Sequence, residues 1–143
     1  MSTIIDSARV RTIFNTLDRN NLHLVEELYD ERVEFIDPFH TIRGREALRA
    51  YYAGMYANVR EIRFDFSGET ATDDELVLYW RMSYRHPRVG GGKEISVAGC
   101  TRLRFAVNGK VTLHRDYFDA GEMLYEHLPL IGRVVRTIRE RVG

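Results

Sequence analysis

The apolar residues of this chain change period part-way along, and that change limits the fold more than any other feature. Up to about Ala57, the short stretch Val33–Asp37 apart, they recur every three or four positions; from Ile62 to about Phe118 they alternate every second position. Helices therefore come first and strands second, and the two must share one core. This is the pattern of an α+β fold, with helices on one face of a curved antiparallel sheet.

In the first half, Ile5, Ala8, Ile13, Phe14 and Leu17 predict a helix between Thr3 and Asp18, broken by Asn20-Asn21. Leu22, Val25, Leu28 and Tyr29 predict a second, short helix. Val33, Phe35 and Asp37 predict a strand that Pro38 stops. Phe39 to Arg43 reads as a loop, and Ala47, Leu48, Tyr51, Tyr52 and Met55 as a third helix from Arg45 to near Ala57.

In the second half, Ile62, Phe64 and Phe66 alternate with charges, and Gly68 to Asp74 reads as a turn region. Along Leu76 to Arg85, Val77, Tyr79, Arg81 and Ser83 share one face, and Leu78, Trp80, Met82 and Tyr84 share the other. Gly90-Gly91-Gly92 marks a flexible hairpin loop. Asn108-Gly109 marks a two-residue hairpin between a strand at Glu94–Val107 and one at Lys110–Phe118. A helical turn follows at Glu122–His127. No repeat or linker interrupts residues 1–143, which read as a single domain.

The chain's 143 residues carry 21 basic and 21 acidic side chains, a balance that argues against a generic nucleic-acid binder. Of the basic residues all but Lys93 and Lys110 are arginine, the better partner for carboxylates. The one cysteine, Cys100, excludes an internal disulfide and a cysteine-rich zinc site. The N-terminal residues do not read as a signal peptide, and no apolar run is long enough to span a bilayer. A cytoplasmic protein is the expectation.

Chemistry concentrates in His114-Arg115-Asp116-Tyr117-Phe118-Asp119. Alternation puts His114, Asp116 and Phe118 on one face of the last strand. On a concave face, that imidazole and carboxylate would serve as general base and acid. A solvated sheet edge, or a buried pair that satisfies only itself, is the alternative. Asp37, at a strand end before a loop, is a second candidate proton-transfer group. Arg81 is a third: on a central strand it would need a carboxylate, and Asp116 is the expected partner. The histidines are too scattered for a metal motif, the glycine run lacks the ending of a phosphate loop, and no cofactor is indicated.

The last segment, 131–143, sets Ile131, Val134, Val135, Ile138 and Val142 against Arg133, Arg136, Arg139 and Arg141, with Glu140 the single acid. Such a basic amphipathic helix packs on its own sheet or a second subunit; an anionic membrane surface is the alternative.

The element order, the Asp-Pro after the first strand, the Gly-Arg-Glu-Ala-Leu opening a helix and the closing Arg-Asp-Tyr-Phe-Asp together resemble the SnoaL-like branch of the nuclear transport factor 2 fold, from about Ala8 to Pro129. The resemblance implies a cone-shaped α+β barrel enclosing a pocket, often in a homodimer. Limonene epoxide hydrolase, on this fold, uses an Asp-Arg-Asp group. Arg81 and Asp116 match two members; Ser83 stands where the third carboxylate would be, and Glu34 and Ile36 replace the Tyr and Asn that hold its water. Ketosteroid isomerase has its base at the position of Asp37, with Ile13 and Thr101 here in place of its oxyanion hole. SnoaL-type polyketide cyclases have the aspartate matching Asp116 near a histidine, here His114.

The resemblance and the residues together give an acid/base enzyme without cofactor, acting on an apolar oxygenated small molecule. Asp116, Asp37, Arg81 and His114 are its expected catalytic residues, and Ser83, Tyr79, Thr101 and Phe118 line the pocket. The competing reading is a non-catalytic ligand-binding or assembly module of the same fold.

Overall fold

Helix α1 (Ser7–Thr16) starts where the Asp6 carboxylate accepts the Arg9 N–H at 3.0 Å, and it buries Val10, Ile13 and Phe14, the spacing of one helical face. The computed structural model describes residues 4–142. Thr3 and Gly143, the outer limits of the first and last predicted segments, lie outside the described residues, as does the rest of the Met1–Thr3 start. Helix α2 (His23–Leu28) is shorter than the spacing suggests. Tyr29 opens strand β1 (Tyr29–Ile36) instead of closing the helix, because there it is buried and paired with Val111.

The segment expected to be a loop contains a short strand, β2 (Thr41–Arg43), paired antiparallel with the end of β1. Asp37 and Pro38 form the turn between them, closed by the Asp37 N–H donating to the His40 carbonyl at 3.0 Å. Gly44, at φ 92°, lets its N–H reach the Val33 carbonyl at 2.8 Å just before α3 (Arg45–Asn58).

Strands β3 (Arg60–Ala71), β4 (Glu75–Arg85), β5 (Ile95–Phe105) and β6 (Val111–Phe118) form the predicted antiparallel meander. The sheet as a whole is mixed. Its order is β2-β1-β6-β5-β4-β3, and β1 runs parallel to β6. Parallel neighbours need a long crossover, and here it comprises β2, α3 and three strands of the meander. The register slips in β3 between Arg60 and Arg63, with Glu61 at φ 56°, and again between Phe66 and Gly68. Such bulges bend a strand and increase its twist, which curves the sheet around the helices.

The hairpin before β6 is looser than a two-residue turn. Of Asn108 and Gly109 only Gly109 has a positive φ, 82°, and the Ala106 N–H donates to the Lys110 carbonyl across the loop. Gly90–Gly92 make a tight turn within their loop, all three at positive φ (60°, 67° and 79°).

The core lies between the concave sheet face and α1, α2 and α3, with Leu48, Val33, Leu76, Leu78, Val97, Leu103 and Val111 fully enclosed. The Trp80 indole closely approaches Gly99. A side-chain carbon at position 99 would sit 2.6 Å from the indole and 2.5 Å from the Tyr117 carbonyl oxygen. Glycine is therefore required there for the indole to reach its hydrogen-bond partner, Thr101. After β6 come α4 (Ala120–Met123), a 3-10 turn at Tyr125–His127, and α5 (Pro129–Val142), which begins two residues before the predicted segment. Among the described residues no helix is long and apolar enough to cross a membrane.

Candidate functional site

The inward face of β6 carries His114, Asp116 and Phe118, and all three line one cavity of about 280 Å³ between sheet and helices. Most of its wall is aromatic or aliphatic, including Phe14, Phe35, Phe64, Trp80 and Met55. Its polar groups are few and converge.

His114 is buried and bridges two of them. Its Nε2 lies 2.9 Å from Asp116 Oδ1, and its Nδ1 lies 2.8 Å from the Tyr29 hydroxyl, which in turn lies 3.0 Å from the Tyr52 hydroxyl. From the other side, the Trp80 indole N–H donates to Thr101 Oγ1 at 2.8 Å. The Thr101 hydroxyl then donates to Asp116 Oδ1 at 2.6 Å.

Donor chemistry sets the direction on the Trp80 side of this chain. Indole N–H only donates, so the Thr101 proton must go to Asp116. One arrangement continues this order through the histidine: Asp116 ionised, His114 giving it an Nε2–H, and a bare Nδ1 accepting from Tyr29. Tyr29 then accepts from Tyr52. In that arrangement every proton is used once, and both lines of donors end on the same carboxylate oxygen. Asp116 Oδ2 has no hydrogen-bond partner among the described residues.

The tyrosines respond to this charge. Burial, and then the negative charge of Asp116, push the Tyr29 hydroxyl far above its ordinary value of 10.0, although its bond with Tyr52 pulls the other way. Tyr52 is raised mainly by burial, then by Tyr29. Tyr51 is raised by burial and next by the charges of Asp37 and Asp116, which places its phenol within the field of both carboxylates. Tyr51 lines the cavity, and its hydroxyl has no hydrogen-bond partner among the described residues.

Asp37 lines the same cavity. Its Oδ1 accepts the Phe39 N–H at 2.8 Å and the His40 N–H at 2.7 Å, and lies 3.1 Å from His40 Nδ1. The turn that ends β1 therefore holds this second carboxylate in place.

Arg81 does not join the group. Trp80, Met82 and Tyr84 face the cavity from β4, so alternation turns Tyr79, Arg81 and Ser83 to the opposite face of the sheet. Arg81 is exposed and donates to Ser96 Oγ at 3.3 Å, and Asp116 pairs with Thr101 and His114 instead. Tyr79 is 42% exposed and bonds Thr70, and Ser83 is buried outside the cavity. Of the expected pocket residues, Phe118 lines the wall and Thr101 supports Asp116 from behind.

Tyr29, Tyr51, Tyr52 and Trp80 also line the cavity, although spacing alone marks them only as core residues. One signal was present: phenols and indoles placed in a core need hydrogen-bond partners, and α3 alone supplies three tyrosines, Tyr51, Tyr52 and Tyr56. Among the described residues no cluster of His, Cys, Asp and Glu side chains could hold a metal ion.

Comparison with known proteins agrees with this architecture. The sequence matches the SnoaL-like domain over residues 10–114. No curated protein matches it significantly. Solved structures do. A protein from Catenulispora acidiphila with a ketosteroid isomerase-like fold, in complex with trimethylamine, superposes with a TM-score of 0.70 at 15% identity, covering 83% of this chain and 89% of that one. An LEH-like epoxide hydrolase from M. tuberculosis gives 0.68 at 18% identity, covering 91% and 92%. A candidate SnoaL-like polyketide cyclase from Shewanella denitrificans gives 0.64 at 21% identity, covering 73% and 82%. At these identities the likeness establishes the fold and no activity. With the matched domain extending from α1 into β6, the chain belongs to the SnoaL-like family.

Proposed function

We propose that this protein is an acid/base enzyme of the isomerase or cyclase type, acting on an apolar, oxygenated small molecule. One observation carries the reading: a carboxylate at the wall of an aromatic cavity, with one oxygen fixed by Thr101 and His114 and the other unpaired. Pockets of this kind, apolar with a few convergent polar groups, suit small-molecule chemistry.

In the proposed step Asp116 Oδ2 takes a proton from the carbon next to a substrate carbonyl. The electron pair of that C–H bond moves to the carbonyl oxygen, which becomes an enolate. The Tyr51 hydroxyl donates a hydrogen bond to that oxygen. The proton then returns from Asp116 to a different carbon in an isomerisation. In a cyclisation the enolate carbon instead attacks a second carbonyl, and the proton ends on the new alkoxide. His114 holds Asp116 and passes charge compensation to Tyr29. Arg81 has no part, so the Asp-Arg-Asp group of an epoxide hydrolase is not assembled on this chain.

The test is deuterium uptake into 2-tetralone and into 3-cyclohexenone in D2O, followed by proton NMR. Exchange proportional to protein concentration and above the buffer rate is expected. Binding of both ketones without accelerated exchange would contradict the enzyme reading and leave the cavity a ligand-binding site.

A further inference from the structure

The register of β1 against β6 sets Phe35 opposite His114 and Ile36 opposite Arg115. One residue further on, it brings Asp37 level with Asp116 at neighbouring positions. Both carboxylates line the cavity, and their side chains are only 7% and 19% exposed. Among the described residues no lysine or arginine lines that cavity. His40, which meets Asp37 from the turn, is half exposed and does not line it either. Among the described residues Asp37 Oδ2 has one hydrogen-bond partner, His40 Nδ1 at 3.4 Å, and Asp116 Oδ2 has none. Aromatic rings flank the pair along both strands. Phe35 and Tyr51 pack with ring centres 5.5 Å apart, Phe39 and Phe118 with centres 5.8 Å apart, and all four line the cavity.

We propose that the substrate carries an alkylammonium group, held by Asp37 and these rings while Asp116 works at its ketone. The inference rests on the acid/base reading of this site and names the class of substrate. Its basis is charge. Ionised together in an apolar cavity, the two carboxylates repel, and a cation beside them offsets that cost. The proposed step does not relieve it. The enolate gains the charge that Asp116 loses, so the cavity holds two negative charges before and after. A neutral ketone leaves both without an offset, and a cationic one cancels one of them throughout. An alkylammonium also suits the wall. Its methyl groups pack on apolar surface, and its charge is attracted to the faces of aromatic rings. Asp37 then acts as a specificity-determining residue, with Oδ1 occupied by the turn and Oδ2 open to the ammonium.

Two ketones of the same shape test it: 5-(trimethylammonio)pentan-2-one, with a permanent charge, and the neutral 6,6-dimethylheptan-2-one. Calorimetric titration of the wild-type chain should show the cation binding about tenfold tighter, the scale of a desolvated cation–π contact. Proton NMR in D2O follows deuterium uptake into both. Asp37→Asn keeps an amide oxygen for the two turn N–H groups, and it should erase the preference. Equal binding, tighter binding of the neutral ketone, or binding of neither overturns the ammonium reading, whatever the exchange rates. A preference retained in Asp37→Asn overturns the assignment to Asp37. Preference for the cation without exchange of either ketone overturns the enzyme reading and leaves an ammonium-binding site.

Discussion

Asp116→Asn is expected to slow ketone exchange by at least ~100-fold, the low end of what positioned acid/base groups contribute. Its melting temperature should stay within about 3 °C of wild type, since a change of ~1 kcal/mol shifts a domain of this size by roughly that amount. The reasoning follows from which atoms the substitution changes. An asparagine oxygen at the Oδ1 position still accepts the Thr101 hydroxyl and the His114 Nε2–H, so the chain from Trp80 to Tyr52 survives. Only Oδ2 is replaced, by an amide that cannot accept a proton, and Oδ2 is the atom with no partner among the described residues. A variant that loses activity and stability together would show that Asp116 serves the fold. A variant that keeps both would remove it from the mechanism.

The second large effect is on alkaline stability. Five of the eight tyrosines, Tyr29, Tyr51, Tyr52, Tyr56 and Tyr84, have hydroxyls held above their ordinary value, chiefly by burial, with Tyr84 pushed up to about 12. For a group whose folded value lies above its unfolded value of 10.0, the stabilising difference is fully present below pH 10. Above it, the unfolded chain loses protons that the folded chain retains. Each such group then removes up to about 1.4 kcal/mol per pH unit until its folded value is reached. Tyr29 and Tyr52, the most deeply buried pair, are among the largest contributors to this loss. Unfolding should therefore be abrupt between pH 10 and 12. Tyrosinate absorbance should rise in step with loss of the circular dichroism signal. A gradual rise with the fold intact at pH 12 would mean that these phenols are open to water.

The residues show why some of this was legible in the sequence and some was not. Period-2 alternation groups His114, Asp116 and Phe118 wherever β6 ends up, because the rule is local to one strand. Joining Arg81 to Asp116 required a second fact, the register between strands, which alternation within a strand does not contain. Thr101 lies opposite Asp116 on β6 and opposite Leu78 on β4, so these three share a face. Arg81 lies three residues along β4 from Leu78, opposite Ala98, and therefore points to the other face. A buried arginine would have needed a carboxylate, but the sheet exposes this one. The parallel pairing of β1 with β6 was hidden for a similar reason, since it joins segments far apart in the chain. The spacing of Tyr29 from Val25 fits a helix, but the gain from burial and pairing with Val111 outweighs that local preference. The tyrosine wall was in plain view as composition, but its partners are set only by tertiary packing.

The account depends most on where one proton sits. If Asp116 is the base, His114 carries hydrogen on Nε2 and none on Nδ1, because Asp116 accepts and Tyr29 donates. Long-range proton–nitrogen correlation NMR on histidine-labelled protein at neutral pH reads this directly, with the signals assigned by their loss in His114→Gln. The account predicts a neutral ring protonated at Nε2. A ring protonated at Nδ1 with Nε2 bare would require Asp116 to supply the shared proton, and would contradict its role as the base.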